Sequence, residues 1–260
     1  MVNKYKFLFL VPLIVLFSCA TKQIDDFVLL QVDFNDALAH YNSKKYSVAR
    51  DEFMSVIYND PLSEHANYSQ FYVAECEYNL KNYKQAISEY LKYLRTPFQR
   101  VPFVNKSELI LCRCYYKLSL DFNKDQSGTY LAIEKLQYYL EKENLNEHSL
   151  EIEGMIKSLR NKLAKKDYET ANLYIRLKEY EAAEMYFSNI VNEFYDSEYF
   201  DSAVFNISLL KSFSNKDEGI LFLENNRNDF RSEQKYLNAI NVLENLNKDE
   251  KIEYYLKLLK

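Results

Sequence analysis

The sequence predicts an all-α protein, a right-handed superhelical solenoid of about five helical hairpins. The chain of 260 residues contains only three glycines and four prolines, fewer than sheets with tight turns usually need. It also repeats itself at a constant shift, which takes Ala37 to Ala74 and Tyr46 to Tyr83. A single hairpin cannot bury its apolar face alone, so repeated hairpins are expected to stack into a solenoid.

The first two copies show the repeat most clearly. Ala37 and Ala49 correspond to Ala74 and Ala86, and these small residues allow two antiparallel helices to approach closely. Larger residues at helical spacing fill the space beside them: Tyr41, Tyr46, Phe53 and Val56 in the first copy, and Tyr78, Tyr83, Tyr90 and Tyr93 in the second. This spacing resembles the tetratricopeptide repeat, in which a proline such as Pro61 follows the second helix.

The later copies are looser. Cys112 lies in the first helix of the third copy and Ala132 in its partner, with an extra loop over residues 121–127 between them. The first helix of the fourth copy is expected to begin near Leu150, and its partner contains Ala183. The fifth copy is degenerate: a helix from about residue 198, a second helix and a terminal helix over residues 250–259. The second helix is expected to contain Tyr236, Ala239, Leu243 and Leu246.

The start of the chain predicts a lipoprotein leader. Two lysines precede an apolar run over residues 7–17, which is shorter than the roughly 20 residues of a spanning helix. The run ends on Leu16-Phe17-Ser18-Cys19, the pattern of a bacterial lipobox, in which Cys19 receives lipid and becomes the mature N-terminus. The alternative is a plain signal peptide with a chance cysteine. The expected organisation is a leader over 1–18, a lipidated linker over 19–32 and the solenoid over 33–260.

The charge balance excludes nucleic acid as a partner. The chain has 33 Lys and Arg against 38 Asp and Glu, and the leader holds two of the lysines and none of the acids, so the mature part has a net charge of −7. Nucleic acid would require a basic stripe. An acidic surface is also repelled by anionic lipid, so attachment to a membrane should depend on the acylated Cys19.

The chain lacks the common signatures of enzymes and cofactor sites. It contains no Gly-x-Ser-x-Gly, phosphate-binding loop, His-Glu-x-x-His or dinucleotide fingerprint. Asp121-x-Asn123-x-Asp125 imitates a calcium loop, but Gln126 and Ala132 occupy the positions that need glycine and glutamate. The cysteines at 76, 112 and 114 are expected to be buried small residues, or one disulfide between Cys76 and one of the others. We therefore expect no catalytic residue, no metal and no cofactor.

The first helices of the copies are expected to line the concave side of the solenoid. Aromatic side chains with a basic end indicate a groove that captures an extended peptide, although several of these tyrosines could instead be packing residues. The residues expected to form the groove are Tyr41, Tyr68, Phe71, Tyr78, Arg113, Tyr116 and Lys117.

A more specific pattern spans residues 125–199. It contains Asp125-Gln126, the segment Leu159-Arg160-Asn161-Lys162-Leu163-Ala164, Tyr168-Glu169, Ala182-Ala183 and Asp196-Ser197 in this order. This string resembles the YfiO/ComL (BamD) family of lipoproteins of the outer-membrane β-barrel assembly machinery. The lipobox, the length and the five repeats agree with the resemblance, which covers roughly residues 19–215.

The resemblance implies a non-enzymatic adaptor, held at the outer membrane by its lipid and facing the periplasm. Members of that family dock on the periplasmic POTRA region of the barrel-forming BamA subunit and receive unfolded outer-membrane proteins as clients. Carried over to this chain, the docking surface is expected at Tyr174, Arg176, Lys178 and Tyr180, near the turn of the fourth hairpin.

Three alternatives stay open at this point. Glycan-binding lipoproteins of the SusD type also carry these repeats, but they display sugar-stacking tryptophans, and this chain has no Trp. Another tetratricopeptide-type lipoprotein that binds peptides is compatible with the same pattern. A lipid-anchored enzyme or enzyme activator is the third possibility, for which Asp121, Asp125 or His148 would be the residues to test.

Overall fold

The computed structural model describes residues 31–96, 99–142, 147–247 and 252–255. All regular structure in these ranges is helical, which confirms the predicted all-α class. The chain divides into two compact units, with the boundary between Leu118 and Ser119. The leader and Cys19 lie outside the described residues. Within the described ranges, no helix combines the length and the hydropathy that crossing a bilayer requires.

Unit one contains five helices in its described part, and they pack in the order of the chain. α2 packs against α3, α3 against α4, and α4 against α5. Residues 31–42 form α1, and the others are α2 (Tyr46–Asn59), α3 (Glu64–Asn79), α4 (Tyr83–Tyr93) and α5 (Val101–Leu118).

The core of unit one follows the predicted repeat. Ala37, Ala49, Ala74 and Ala86 are fully buried, as close approach of paired helices requires. One apolar cluster fills the space beside α1, α2 and α3, and the next fills the space among α3, α4 and α5. The aromatic side chains predicted between the helices carry much of this packing, because Phe53, Tyr90 and Tyr93 are fully buried.

Three hairpins turn on a lysine in the left-handed backbone region. Lys44, Lys81 and Lys178 have φ values of 59°, 64° and 63°, and each follows the first helix of its hairpin. The lysine N–H donates to the carbonyl three residues earlier, and the next N–H donates to the carbonyl five residues before it. This is the Schellman arrangement, which usually employs glycine at the left-handed position. The shared geometry identifies these turns as equivalent points of the repeat.

Unit two is built around one long helix. The 29 residues of α7 pack against α6 on one side along the chain and α8 on the other, and α9 then packs against α8 and α10. The helices are α6 (Ser127–Lys142), α7 (Ser149–Leu177), α8 (Tyr180–Glu193), α9 (Phe200–Ser214), α10 (Lys216–Asn225), α11 (Glu233–Glu244) and α12 (Ile252–Tyr255), with a 3-10 turn at Arg227–Asp229.

The fifth hairpin corrects one prediction. The partner of α9 is α10, not the helix that contains Tyr236, Ala239 and Leu243, and Leu246 lies beyond the end of that helix at Glu244. α10 begins directly after α9 because the side chain of Asn215 accepts the N–H of Asp217 and caps it. Gly219 occupies the point of close approach, where a Cβ would lie 1.9 Å from Ser212 Oγ and 2.3 Å from the carbonyl oxygen of Ser208. The helix with Tyr236 is α11, which packs on α9 and α10.

Cys76, Cys112 and Cys114 are buried, and Cys76 forms no disulfide. Burial, with the charge of nearby Glu75 and Glu77 added, raises the pKa of the Cys76 thiol to about 12. Burial also raises the pKa of the Cys114 thiol to about 12. Both thiols therefore stay protonated at neutral pH and act as small apolar groups of the core.

Candidate protein-binding surfaces

The residues predicted for a peptide groove all lie in unit one, but they differ in exposure. Phe71 is only 1% exposed and stacks on Phe103, with ring centroids 4.5 Å apart. Its predicted place on an accessible surface is therefore wrong, because the phase of α3 turns this side chain into the core. The other aromatic residues of the set are half-buried: Tyr41, Tyr68, Tyr78 and Tyr116.

A buried carboxylate connects the first helices of unit one. Glu75, on α3, is 3% exposed. Its carboxylate oxygens accept hydrogen bonds from Tyr90 Oη at 2.6 Å, from Tyr41 Oη at 2.8 Å and from Lys106 Nζ at 2.7 Å. These partners lie on α4, α1 and α5, so one side chain ties α3 to three other helices.

The network has a defined protonation state. Burial first, and then the charge of Glu75, raises the pKa of both Tyr41 and Tyr90. The two hydroxyls therefore keep their protons and act as donors to the carboxylate. Lys106 supplies the opposite charge that a buried carboxylate requires. Tyr41 is fixed in place as a structural tyrosine whose ring is partly accessible.

A second cluster lies where α3 and α5 begin. The hydroxyl of Tyr68 donates to Glu64 Oε1 at 2.5 Å, and the Arg100 guanidinium pairs with the same oxygen at 2.7 Å. The guanidinium also lies over the Tyr68 ring, 4.7 Å from its centroid. The Tyr68 ring packs edge-on against Phe103. Tyr68 is thus an aromatic surface flanked by a cation and an anion.

The remaining groove residues lie toward the C-terminal ends of α3 and α5. Tyr78 packs edge-on against Tyr83, and Lys117 Nζ lies 5.9 Å from the centroid of the Tyr116 ring. Lys117 is exposed and Arg113 is half-buried. This end combines cationic side chains with aromatic rings.

Sequence reasoning missed Glu75, Lys106 and Arg100. A signal for Glu75 was present, since it takes the place that Leu38 has in the preceding copy. A charge at a core position of a repeat needs a partner, and Lys106 is that partner. Arg100 carried no comparable signal, because it lies just before α5 and outside the repeat pattern.

The predicted docking residues lie around the turn from α7 to α8 in unit two. Arg176, Lys178 and Tyr180 are exposed, and Tyr174 stacks on Tyr186 with ring centroids 5.5 Å apart. The left-handed Lys178 fixes the turn. Exposed apolar side chains flank these residues, namely Leu173 at 45% and Leu177 at 58% exposure. The turn therefore presents basic and apolar groups on a rigid backbone.

A charged tie holds α7 against the loop that follows α8. Arg160 donates from Nε to Asp196 Oδ1 at 2.8 Å and from Nη2 to the carbonyl oxygen of Glu193 at 2.7 Å. Partial burial acts to raise the pKa of Asp196, but the hydrogen bonds and charge of Arg160 prevail and hold that pKa below its ordinary value. The tie fixes α7 relative to α8, and with it the turn between them.

The fold and these surfaces define a class of protein: helical-hairpin repeats with aromatic and charged side chains on their surfaces. In the described ranges, no group of three His, Cys, Asp or Glu side chains is placed to hold a metal ion. The model of the YfiO family, described as outer membrane lipoproteins, matches residues 31–211. The chain therefore belongs to this family of outer-membrane lipoproteins. No curated protein matches the chain.

Proposed function

We propose that this protein is a non-enzymatic adaptor of the machinery that assembles β-barrel proteins in the outer membrane. It docks on the POTRA region of a BamA-like subunit and assists the insertion of unfolded outer-membrane proteins. The observation that carries the proposal is the family match over residues 31–211, since this range includes both predicted surfaces. The acylated Cys19 would hold the protein at the outer membrane, with the repeats in the periplasm.

The turn between α7 and α8 is the proposed docking surface. A partner that contacts Arg176 and Lys178 would offer carboxylates, and its apolar side chains would cover Leu173 and Leu177. The turn is already ordered by its Schellman hydrogen bonds, so binding requires little ordering of the backbone. Tyr180, at 38% exposure, provides an aromatic contact of the kind that is enriched in protein interfaces.

The groove residues of unit one are the proposed contact for clients. The C-terminal strand of an unfolded barrel protein commonly carries aromatic residues and ends in a free carboxylate. Its rings would pack on Tyr68 and Tyr78, and its carboxylate would pair with Arg113 or Lys117. Phe71 has no direct part in this contact, because it is buried. Its role is to support the ring of Phe103, which in turn packs against Tyr68.

Charge reversal tests the docking surface. We expect the double variant Arg176→Glu/Lys178→Glu to lose at least tenfold in affinity for a purified POTRA region of a BamA-like protein. Lys84→Glu in α4 is the control, because Lys84 is an exposed lysine in unit one. Affinities would be measured by surface plasmon resonance at physiological salt. Equal affinity of the double variant and the wild type would contradict docking at this turn.

A separate measurement tests the client groove. Tyr78→Ala combined with Arg113→Ala should weaken binding of a labelled C-terminal barrel peptide by at least fivefold. The same variant should keep its affinity for the POTRA region, because it changes only unit one. Unchanged peptide binding would contradict the groove while leaving the docking surface intact.

The anchor is tested in cells. Cys19→Ala should move the protein from the membrane fraction to the soluble periplasmic fraction. Persistent membrane attachment of this variant would mean that another tether holds the protein.

A further inference from the structure

A concave pocket in unit two has no part in either proposed surface. It has a volume of about 500 Å³ and lies where the segment before α6 and the loop before α9 meet the middle of α7. Its size lies within the usual range for ligand sites. Its walls combine cationic and aromatic side chains: Phe122, Lys157, Asn161, Lys162, Lys165 and Tyr199.

One stripe of α7 supplies the cations. Lys157, Asn161 and Lys165 succeed one another at four-residue spacing, so they share one face of the helix. Lys162 lies beside them, and its Nζ donates to Ser119 Oγ at 2.8 Å, which holds the preceding segment against α7. Lys157 is exposed and Lys165 is half-buried. The two lysines are eight residues apart, which is about 12 Å along the helix axis.

The opposite wall is aromatic and held in place. Lys165 Nζ lies 4.5 Å from the centroid of the Phe122 ring, so this ring already stabilises a cation. The buried Gln126 holds the segment of Phe122, since its amide donates to the carbonyl oxygens of Asp121 and Lys124. The N–H of Glu198 donates to Asn161 Oδ1 at 2.9 Å, which fixes the loop next to Tyr199. The pocket is thus formed before any ligand arrives.

The charge and the spacing restrict the ligand. The pocket has three lysines against two acids, Asp121 and Glu198, so the balance favours a ligand with a few separated negative charges. The backbone positions of Lys157 and Lys165 are about 12 Å apart along the helix, so a ligand with two separated charges matches them better than a single phosphate does. An extended peptide rises about 3.3 Å per residue, so carboxylates four residues apart on one face are separated by about 13 Å. An aromatic side chain midway between them would face Phe122 and Tyr199.

We propose that this pocket binds an extended acidic segment of a partner protein, in which two Asp or Glu residues four positions apart flank an aromatic residue. The carboxylates pair with Lys157 and Lys165, and the aromatic side chain packs between Phe122 and Tyr199. This site does not depend on the adaptor function proposed above. Lys157 also lies 19 residues before Arg176 on α7, about 28 Å away, so a partner can occupy the pocket while the docking turn is engaged.

The test uses the full chain in detergent and a fluorescein-labelled peptide, Asp-Thr-Phe-Thr-Asp, with both ends blocked. The blocked ends separate this site from any groove that reads a free C-terminal carboxylate. We expect binding that weakens with salt, and at least a tenfold loss when both aspartates of the peptide are replaced by asparagine. The double variant Lys157→Glu/Lys165→Glu should lose at least tenfold as well.

Gly154 offers a sharper pair of variants. It lines the pocket one turn before Lys157, and a Cβ there meets no atom within 4 Å. Gly154→Glu introduces a carboxylate beside Lys157 and should weaken peptide binding by at least fivefold. Gly154→Ala adds no charge and should weaken binding less than Gly154→Glu does, and the unit-one variant Lys84→Glu should stay within twofold of the wild type. Circular dichroism of each variant verifies that the helices are intact.

Three outcomes would overturn the proposal. The asparagine peptide could bind as well as the aspartate peptide, or the double lysine variant could keep its affinity. Complete competition by millimolar inorganic phosphate would assign the pocket to small anions instead. Equal POTRA affinity of the docking variants and the wild type would contradict the proposed function and leave these results unaffected, so failure of this site and failure of the proposed function are distinguishable.

Discussion

The described part of unit one buries three glutamates among its helices, Glu75, Glu77 and Glu89, whereas that of unit two buries one acid, Asp201. Each glutamate accepts hydrogen bonds from at least two side chains. Asp201 accepts from the N–H of Arg231 at 3.3 Å and from Lys235 Nζ at 3.1 Å, and both bonds are longer than the three that Glu75 accepts.

The two units differ in the interactions that hold their surface residues in position. Unit one holds the ring of Tyr41 in place through a polar network that crosses four helices. Unit two fixes its docking turn through a 29-residue helix and one large apolar cluster that extends from α7 to α12. A polar network specifies the orientation of particular side chains, while apolar packing supplies most of the stability. Unit one therefore depends on a few specific polar contacts for the orientation of its surface side chains, whereas unit two depends on apolar packing.

The largest expected change in stability comes from a substitution that disrupts the apolar packing of unit two. Gly219→Ala places a Cβ 1.9 Å from Ser212 Oγ and 2.3 Å from the backbone oxygen of Ser208, so α10 must move away from α9. We expect a loss of about 3 kcal/mol in the free energy of unfolding, measured by urea denaturation. Gly154→Ala is the matched control, because its Cβ enters open space and should raise stability by about 1 kcal/mol. Equal stability of the two variants would contradict the close approach of α9 and α10.

The next largest change in stability is expected from removing a buried acid, and the loss can be compared between the two units. Glu75→Ala leaves the Tyr90 hydroxyl buried and removes the partner of Lys106, so we expect a loss of about 2 kcal/mol in the free energy of unfolding. Asp201→Ala should cost about 1 kcal/mol, since its hydrogen bonds are longer and fewer. Urea unfolding of both variants measures the contrast. If Asp201→Ala costs more than Glu75→Ala, the polar network of unit one is not the stronger of the two.

Replacing the lysines that have positive φ by glycine should change stability by a smaller amount and should increase it. A left-handed conformation costs a residue with a side chain about 1 to 2 kcal/mol, and the greater freedom of glycine in the unfolded chain offsets part of that gain. Lys178→Gly and Lys81→Gly should therefore each raise stability by up to about 1 kcal/mol. Lys84→Gly, inside α4, should lower it by a similar amount. A loss of stability in both turn variants would contradict the left-handed conformation of these lysines, and a gain in only one of them would contradict the equivalence of the turns.

The smallest effect is a dependence on pH in unit two. The pKa of Asp196 in the folded protein lies below its unfolded value, which is about 3.9. Its contribution is therefore fully present above the unfolded pKa and is lost as pH falls through the folded pKa. Because Arg160 and Asp196 are partly exposed, solvent screening limits it to about 0.5 kcal/mol. The midpoint temperature of thermal unfolding should fall less steeply from pH 5 to pH 2 in Asp196→Asn than in the wild type. Identical slopes would show that the ion pair between Arg160 and Asp196 does not stabilise the fold.

The sequence was sufficient where the signal is local. Alanines at helical spacing predicted the paired helices of unit one. A small residue in a helical pattern indicates a close helix contact even when the residue it touches is unknown. The same reasoning missed α10, where Gly219 takes the place of alanine and its fit depends on Ser212 of α9. The sequence reasoning also placed Phe71 on a surface, although it is buried. Spacing alone does not show which of Phe71 and the neighbouring Tyr72 faces the core.

The candidate surfaces were predictable to a similar extent. Residues at the end of α5 could be selected from charge and aromatic character, which are local properties, whereas those at the α7–α8 turn were expected only from the family resemblance. The Glu75 network could not be derived in this way. Its carboxylate is stabilised by Lys106, which is 31 residues away, and by tyrosines on two further helices. Long-range pairs of this kind are set by packing, and packing is decided only when the helices come together.

The most direct test of the adaptor role is purification of the native lipoprotein from detergent-solubilised membranes, followed by mass spectrometry of whatever stays bound. The account predicts a POTRA-containing barrel protein as the principal partner, recovered with the wild type and strongly depleted with Arg176→Glu/Lys178→Glu. The protein would be expressed at its native level. Recovery of the lipoprotein without any POTRA-containing partner would then contradict the adaptor role.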